Sequence, residues 1–178
     1  MASPEFNYVG SELELFQAAR NWKRYYGSMV APFLGSNVLE IGAGIGGTTL
    51  SLCSGGAHES WMCLEPDRSL YQQIARRVEQ GELPPCCVAV NGALGDLSLP
   101  HMPDTILYMD VLEHIRDDHA ELERSASVLK PGGYIVVLAP AHNWLFSAFD
   151  EAVGHHRRYT KTTLGDITPA GTEVVLAR

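Results

Sequence analysis

Short apolar runs alternate along the chain with stretches whose apolar residues recur every three to four positions, a pattern that predicts strand and helix in alternation. The first periodic stretch carries Leu15, Ala19, Trp22, Tyr26 and Met29 on one stripe, which places Trp22 in the core, and Pro32 and Gly35 end it. Compact apolar runs at 37–41, 60–64, 87–90, 105–109 and 134–139 predict five strands. The last run is apolar throughout, as strands covered on both faces are. Between them, 48–53 reads as a short helix. Asp67 caps a helix with Leu70, Ile74 and Val78 on one face, which Pro84-Pro85 breaks. Asp118-x-x-Glu121 reads as a capping box opening a helix that runs through Leu129, and Pro131-Gly132-Gly133 is a turn. Thr160 starts a short helix, and 173–177 predicts a final strand. The whole is one α/β domain with a mainly parallel sheet, whose ligand is expected beyond the carboxyl ends of the strands.

The first strand runs into a glycine turn, Glu40-Ile41-Gly42-Ala43-Gly44-Ile45-Gly46-Gly47. Gly42-x-Gly44-x-x-Gly47 fits the dinucleotide fingerprint, while Glu40-x-Gly42-x-Gly44-x-Gly46 fits a loop that binds a sulfonium nucleoside. A dinucleotide sets its pyrophosphate at the following helix N-terminus, where Glu40 would repel it. S-adenosylmethionine has no phosphate and carries a cationic ammonium and sulfonium, for which a carboxylate is useful. Glu65, about 20 residues on, stands where an acid accepts hydrogen bonds from ribose hydroxyls, and Pro66 stiffens the turn after it. Asn91-Gly92-Ala93-Leu94 follows the third strand, where an adenine edge is expected. Gly92 carries no acceptor for the adenine amine, which leaves a backbone carbonyl or Asp96 for that contact.

Composition narrows the partners. Hydrophobic residues make up 46% and charged residues 19%, a globular balance, and the formal net charge of −8 disfavours nucleic-acid phosphates. The one tight basic cluster, His155-His156-Arg157-Arg158, suits a single anionic group. No run of ~18 apolar residues is present and no secretory leader opens the chain, so no membrane partner and a cytoplasmic setting are expected. Cys53, Cys63, Cys86 and Cys87 form no C-x-x-C pair, so their spacing predicts reduced thiols in or near the core and no zinc site.

Val38 to Gly46, Glu65-Pro66-Asp67, Asp110 to Ile115 and Leu129 to Gly133 resemble, in order, four motifs of the class I S-adenosylmethionine-dependent methyltransferases. Ala19 to Trp22 and Phe149 to Tyr159 resemble a bacterial-type small-molecule subgroup. The resemblance implies a Rossmann-like three-layer α/β/α sandwich, with 1–35 as a helical lid that sets Tyr8 or Trp22 near the cofactor and 36–178 as the core. Such domains usually close with a two-strand hairpin. Here the last strand is expected to be lacking, leaving an open sheet edge through which a homodimer could form. The implied cofactor is S-adenosylmethionine, held by Glu40, Gly42, Ala43, Gly44, Gly46, Glu65, Pro66, Gly92, Ala93, Leu94, Asp110, Val111 and Leu112. The ubiquinone-biosynthesis O-methyltransferases are similar at Asp110-Val111-Leu112-Glu113-His114 and use a divalent metal there. The same stretch occurs in metal-free relatives, so a metal on Asp110, Glu113 and His114 is not expected.

Methyl transfer to a small-molecule oxygen is the leading expectation, and it needs a base near neutrality. His114, His142 and His155 are the candidates, with His156 beside them. Trp144, Arg157, Arg158 and Tyr159 are expected on the acceptor side, the arginines to fork an anionic group or, for at least one of them, to order the loop by pairing with Asp150 or Glu151, with Trp144, Phe146 and Phe149 giving the segment the apolar side of a lid. The alternatives are a non-catalytic module that binds the cofactor or its demethylated product, and a nicotinamide-dependent dehydrogenase.

Overall fold

The structure, a computed structural model, describes residues 18–178. Leu15 and Tyr8, with residues 1–17 of the expected lid, lie outside the described residues. Helix α1 (Arg20–Val30) leads through a 3-10 turn into β1 (Asn37–Ile41), followed by α2 (Gly47–Cys53), β2 (Ser60–Glu65), α3 (Arg68–Glu79), β3 (Cys87–Asn91) and β4 (Thr105–Met109). Then come α4 (Asp118–Val128), β5 (Tyr134–Leu138), α5 (Ala148–Val153) and α6 (Lys161–Gly165). The five strands form one parallel sheet in the order β3-β2-β1-β4-β5. The order reverses beside β1, which opens a crevice at the carboxyl ends of β1 and β4.

The period-2 alternation of the strands divides the core in two. Val38, Trp61, Cys63, Leu107 and Met109 face α1, α2 and α3, and pack with Tyr26, Val30, Leu52 and Ile74. Leu39, Ile41, Leu64, Ile106 and Tyr108 face the other way, onto Leu112, Leu122 and Tyr159. Central β4 is buried at every position, while β5 at the margin is only half-covered along most of its length. This is the expected Rossmann-like α/β fold with a parallel sheet.

Three local expectations change. The segment 173–177 forms no strand: its Val174, Val175 and Leu176 have the right propensity but lie exposed with no ladder to join, and propensity alone does not hold a strand. The cap of α4 is Asp117, whose carboxylate accepts from Ala120 N, and not Asp118. Asp118 and Glu121 are thereby released for tertiary bonds, Asp118 to the Tyr159 hydroxyl and Glu121 to the Tyr108 hydroxyl. Trp22 leaves the core stripe of α1: Tyr26 and Val30 are buried, whereas Trp22 is 43% exposed and stacks on Tyr25. The Asp67 cap is present, accepting from Ser69 N and Leu70 N at 2.7 and 2.9 Å. Among the described residues no helix is long and apolar enough to cross a membrane.

Candidate active site

A cavity of about 1200 Å³ opens at the carboxyl ends of the strands, walled by the glycine loop, the ends of β2, β3 and β4, helix α1 and the segment around α5. The loop after β1 is shaped by φ angles of 63°, 56° and 76° at Gly42, Gly44 and Gly46, a region that strains residues with a side chain. At Gly42 a β-carbon would stand 2.7 Å from Val111 Cγ2, so glycine there is required both by φ and by the close approach of the β4 loop. Ala43 N donates to Leu64 O and Gly44 N donates to Glu65 Oε2 at 2.8 Å, which ties the loop to the end of β2.

Glu65 is buried in the wall, and its other oxygen accepts from Asp67 N at 2.9 Å. Burial pushes its carboxyl up to about 7, against the pull of those two N–H groups. Pro66, Gly92, Ala93, Leu94 and Asp96 continue the wall. Asn91 Nδ2 donates to Glu65 O, which couples the ends of β2 and β3. Gly42, Ala43, Gly44, Asp110 and Val111 complete the cofactor side. Asp110 has a φ of 56°, unusual for a residue with a side chain, and its N–H donates to Leu138 O. It opens onto the cavity yet is ringed by protein, and that desolvation pushes its carboxyl up to about 6 while the nearby His155 draws it down.

Three residues expected on the cofactor side are elsewhere. Glu40 is buried on the Val38 face of β1, where Oε2 accepts from Thr49 Oγ1 and Trp61 Nε1, each at 2.7 Å. It is not part of the cavity wall. Gly46 turns toward α3, where a β-carbon would meet Ile74 and Leu83 at 3.1 to 3.3 Å, so it serves packing. Leu112 is fully buried in the second core cluster, and only its neighbour Val111 reaches the cavity.

On the opposite wall the segment 149–158 meets the turn after β4. The α5 capping box of Ser147 and Asp150 fixes this segment: Asp150 Oδ2 accepts from Ser147 N and Oγ. The fully buried Asp150 also accepts from His155 Nδ1 at 2.8 Å and takes Arg158 in a fork at 2.8 and 2.9 Å. The Arg158 guanidinium holds its carboxyl well below the usual carboxylate range. With Nδ1 engaged, His155 presents Nε2 toward Glu113, 3.9 Å from Oε1. Glu113 is fully buried, lines the cavity, and has no hydrogen-bond partner in another residue at either oxygen. Desolvation pushes its carboxyl up to about 8, and the charges of Asp110 and Asp150 act in the same direction. His114 packs edge-on to His155, with ring centroids 4.6 Å apart.

The donor set Asp110, Glu113 and His114 does not close up. Glu113, His114 and His155 instead bring one ligand atom each within 4.8 Å of one another, a mixed nitrogen and oxygen set of the kind transition metals take. His142 is not a wall residue. Its φ of 64° and its N–H bond to Tyr159 O commit it to the turn before Trp144, and Trp144 is 79% exposed outside the cavity. Arg157 is taken by Asp118 and Arg116 O, and Tyr159 is buried with its hydroxyl on Asp118. Arg158 does reach the wall, but its fork holds Asp150, so neither arginine is placed to fork an acceptor. Lys23 and Val153 escaped the sequence reading, as did the bond of Asp150 to His155, although Asp150 is an expected partner for one of the arginines. The Ser147-x-x-Asp150 spacing before a helix was the one available signal, and it marks a cap without revealing that the acid also binds a histidine.

The chain matches a family model described as a methyltransferase domain over residues 15–170. It is 31% identical over 113 residues to a ubiquinone biosynthesis O-methyltransferase of Xylella fastidiosa (strain 9a5c), covering 63% of this chain and 45% of that protein. It is 30% identical over 137 residues to a demethylmenaquinone methyltransferase of Tropheryma whipplei (strain Twist), covering 72% and 52%. The chain thus spans about half the length of these curated relatives. In fold it is similar to the YcgJ protein of Bacillus subtilis, with a TM-score of 0.66 at 17% identity over 83% of this chain and 66% of that one. The family match sets aside the dehydrogenase reading of the glycine loop. With its parallel sheet and its glycine-lined crevice at the switch of strand order, the chain belongs to the methyltransferase domain family and has the Rossmann-like fold of S-adenosylmethionine-dependent methyltransferases.

Proposed function

We propose that this domain transfers a methyl group from S-adenosylmethionine to an oxygen of a small-molecule acceptor, with His155 as the base. The observation that carries the reading is the Asp150–His155 pair on the wall facing the glycine loop. Bound S-adenosylmethionine supplies an electrophilic methyl on a sulfonium sulfur, and the chain's task is to orient an acceptor and handle its proton. The glycine loop gives the cofactor a backbone surface that a β-carbon at residue 42 would obstruct. Glu65, buried in the wall, is the acceptor for hydroxyl groups of the cofactor. Asp150 fixes His155 with Nδ1 as donor, which keeps Nε2 available to take a hydroxyl proton and stabilises the imidazolium that results. Phe149 and Val153 present apolar surface beside it, suited to a small organic acceptor. One curated relative is named as an O-methyltransferase of ubiquinone biosynthesis and the other as a demethylmenaquinone methyltransferase, and both names support a small organic acceptor.

Calorimetry with S-adenosylmethionine, followed by transfer of a labelled methyl to a panel of hydroxylated aromatics, tests this. His155→Gln should keep cofactor affinity and lower kcat by about 10²- to 10⁴-fold. Unchanged kcat in that variant removes His155 from the chemistry, and failure to bind the cofactor removes the reading altogether.

A further inference from the structure

At the far end of the sheet from the cavity, three thiols converge that methyl transfer does not use. Cys53 closes α2, and Cys86-Cys87 lead into β3. Cys53 Sγ lies 3.4 Å from Cys86 Sγ and 3.7 Å from Cys87 Sγ, and the three sulfurs are all within 4.8 Å of one another. None is in a disulfide. Neighbouring residues of an extended strand point to opposite faces. Here Cys86 precedes the strand, and the bond from Cys87 N to Pro84 O closes a turn across it that brings both sulfurs to one side. Cys53 and Cys87 are buried and Cys86 is half-buried.

We propose that Cys53, Cys86 and Cys87 form a binding site for a thiophilic d10 cation of the zinc type. Zinc–thiolate bonds of ~2.3 Å in tetrahedral geometry set neighbouring sulfurs ~3.8 Å apart. The separations of Cys53 from Cys86 and Cys87 are within a few tenths of an ångström of that value, and the third pair lies within 4.8 Å, so a small adjustment of the side chains brings all three sulfurs to one ion. Soft sulfur donors select this class of ion over magnesium or calcium. Burial pushes the Cys53 thiol up, and hydrogen bonding to Cys63 together with burial does the same at Cys87. Loading breaks three S–H bonds and forms three metal–sulfur bonds. Three protons pass to the buffer, and a dication with three thiolates keeps one net negative charge. A water would complete the fourth position. Cys53 is distant in sequence from the Cys86-Cys87 pair, which is why spacing gave no zinc motif.

Cobalt titration of the protein, kept reduced with a non-thiol reductant, tests the site. About one equivalent of Co²⁺ should produce both thiolate-to-cobalt charge-transfer absorption and tetrahedral visible bands, with release of protons and displacement by Zn²⁺. Cys86→Ser changes the half-exposed ligand and should weaken Co²⁺ binding about tenfold or more, with its thermal unfolding confirming an intact fold. His155→Gln should leave the charge-transfer band in place, because any ion on Glu113, His114 and His155 has no sulfur donor. In a second measurement, Zn²⁺ should protect Cys86 from alkylation by iodoacetamide. The proposal is overturned by absence of the sulfur band, by Co²⁺ affinity indifferent to Cys86→Ser, by alkylation of Cys86 at the same rate with Zn²⁺, or by a Cys53–Cys86 disulfide forming in place of metal binding.

Discussion

Replacing Glu40 by Gln separates the buried acid's charge from its hydrogen bonding. In the folded protein burial pushes Glu40 up to about 7, while the Thr49 and Trp61 hydrogen bonds and the Lys23 charge pull it down less strongly. Unfolded, it returns to its ordinary value of 4.5. The folded pKa is the higher, so the group's favourable contribution is complete below the unfolded pKa and is lost as pH rises through the folded one. The loss is under about 1 kcal/mol at pH ~5 and about 3 kcal/mol at pH ~8, at ~1.4 kcal/mol per unit. Gln keeps an oxygen to accept from Thr49 and Trp61 and has no charge to desolvate. Its extra amide donors and any repacking change stability by an amount that does not depend on pH. The difference between Glu40→Gln and the parent should therefore move in favour of Gln by about 2 to 3 kcal/mol between pH ~5 and ~8. Urea denaturation of both proteins at the two pH values reads this directly, with equal m-values as the check that the unfolded states match. A stability difference constant across that range refutes the reasoning and means the carboxylate is ionised without penalty. Because Glu40 is off the cavity wall, the same variant should bind S-adenosylmethionine with affinity changed by about threefold or less, below ~1 kcal/mol.

Three further outcomes follow from the geometry. Gly42→Ala sets a β-carbon 2.7 Å from Val111 at a φ of 63°, and should abolish cofactor binding seen by calorimetry; Val111→Ala in the same chain relieves the clash but not the φ strain, so rescue should be partial. Asp150→Ala strips Arg158 and His155 of their shared partner in a buried setting, and should lower stability by about 3 kcal/mol or more in urea denaturation. Asp67→Ala removes two hydrogen bonds from the start of α3 and should cost about 1 kcal/mol, with little effect on kcat.

The strand–helix order was legible because each buried strand carries its own apolar run and each crossover helix its own stripe. The misread elements are those whose fate depends on a neighbour. Residues 173–177 have strand composition, but a strand exists only when another backbone completes its ladder. Asp117 and Asp118 are equally good caps on paper; Tyr159 and Arg157, distant in sequence, draw Asp118 away. Arg157 and Arg158 offer either an anion fork or a loop-ordering pair with Asp150 or Glu151; the fold puts Arg158 on Asp150 and gives Arg157 to Asp118, a partner distant in sequence. In each case a local rule was right about what the residue is able to do and silent about which partner it takes.

Glu40 is different, because the sequence did contain the correction. Val38 and Glu40 are two apart on β1, as are Leu39 and Ile41, so strand alternation puts Glu40 on the Val38 face. That face is covered by α2, and Thr49 lies on the first turn and a half of α2, within reach. A carboxylate directed there is enclosed before it meets any ligand, whatever charge the ligand carries. The chain reaches the cavity at Ile41, the last residue of the strand, and lines it from there through the glycine turn. The selectivity for a sulfonium nucleoside over a dinucleotide must then rest on the wall residues themselves. Glu65 is on that wall, but both its oxygens accept backbone N–H groups of Gly44 and Asp67, whereas Asp110 opens onto the cavity beside Val111, which approaches Gly42. If that is its task, Asp110→Asn should weaken S-adenosylmethionine binding by about tenfold, ~1.4 kcal/mol, while Glu40→Gln does not. Equal affinities in the two variants would return the cation-binding role to neither acid.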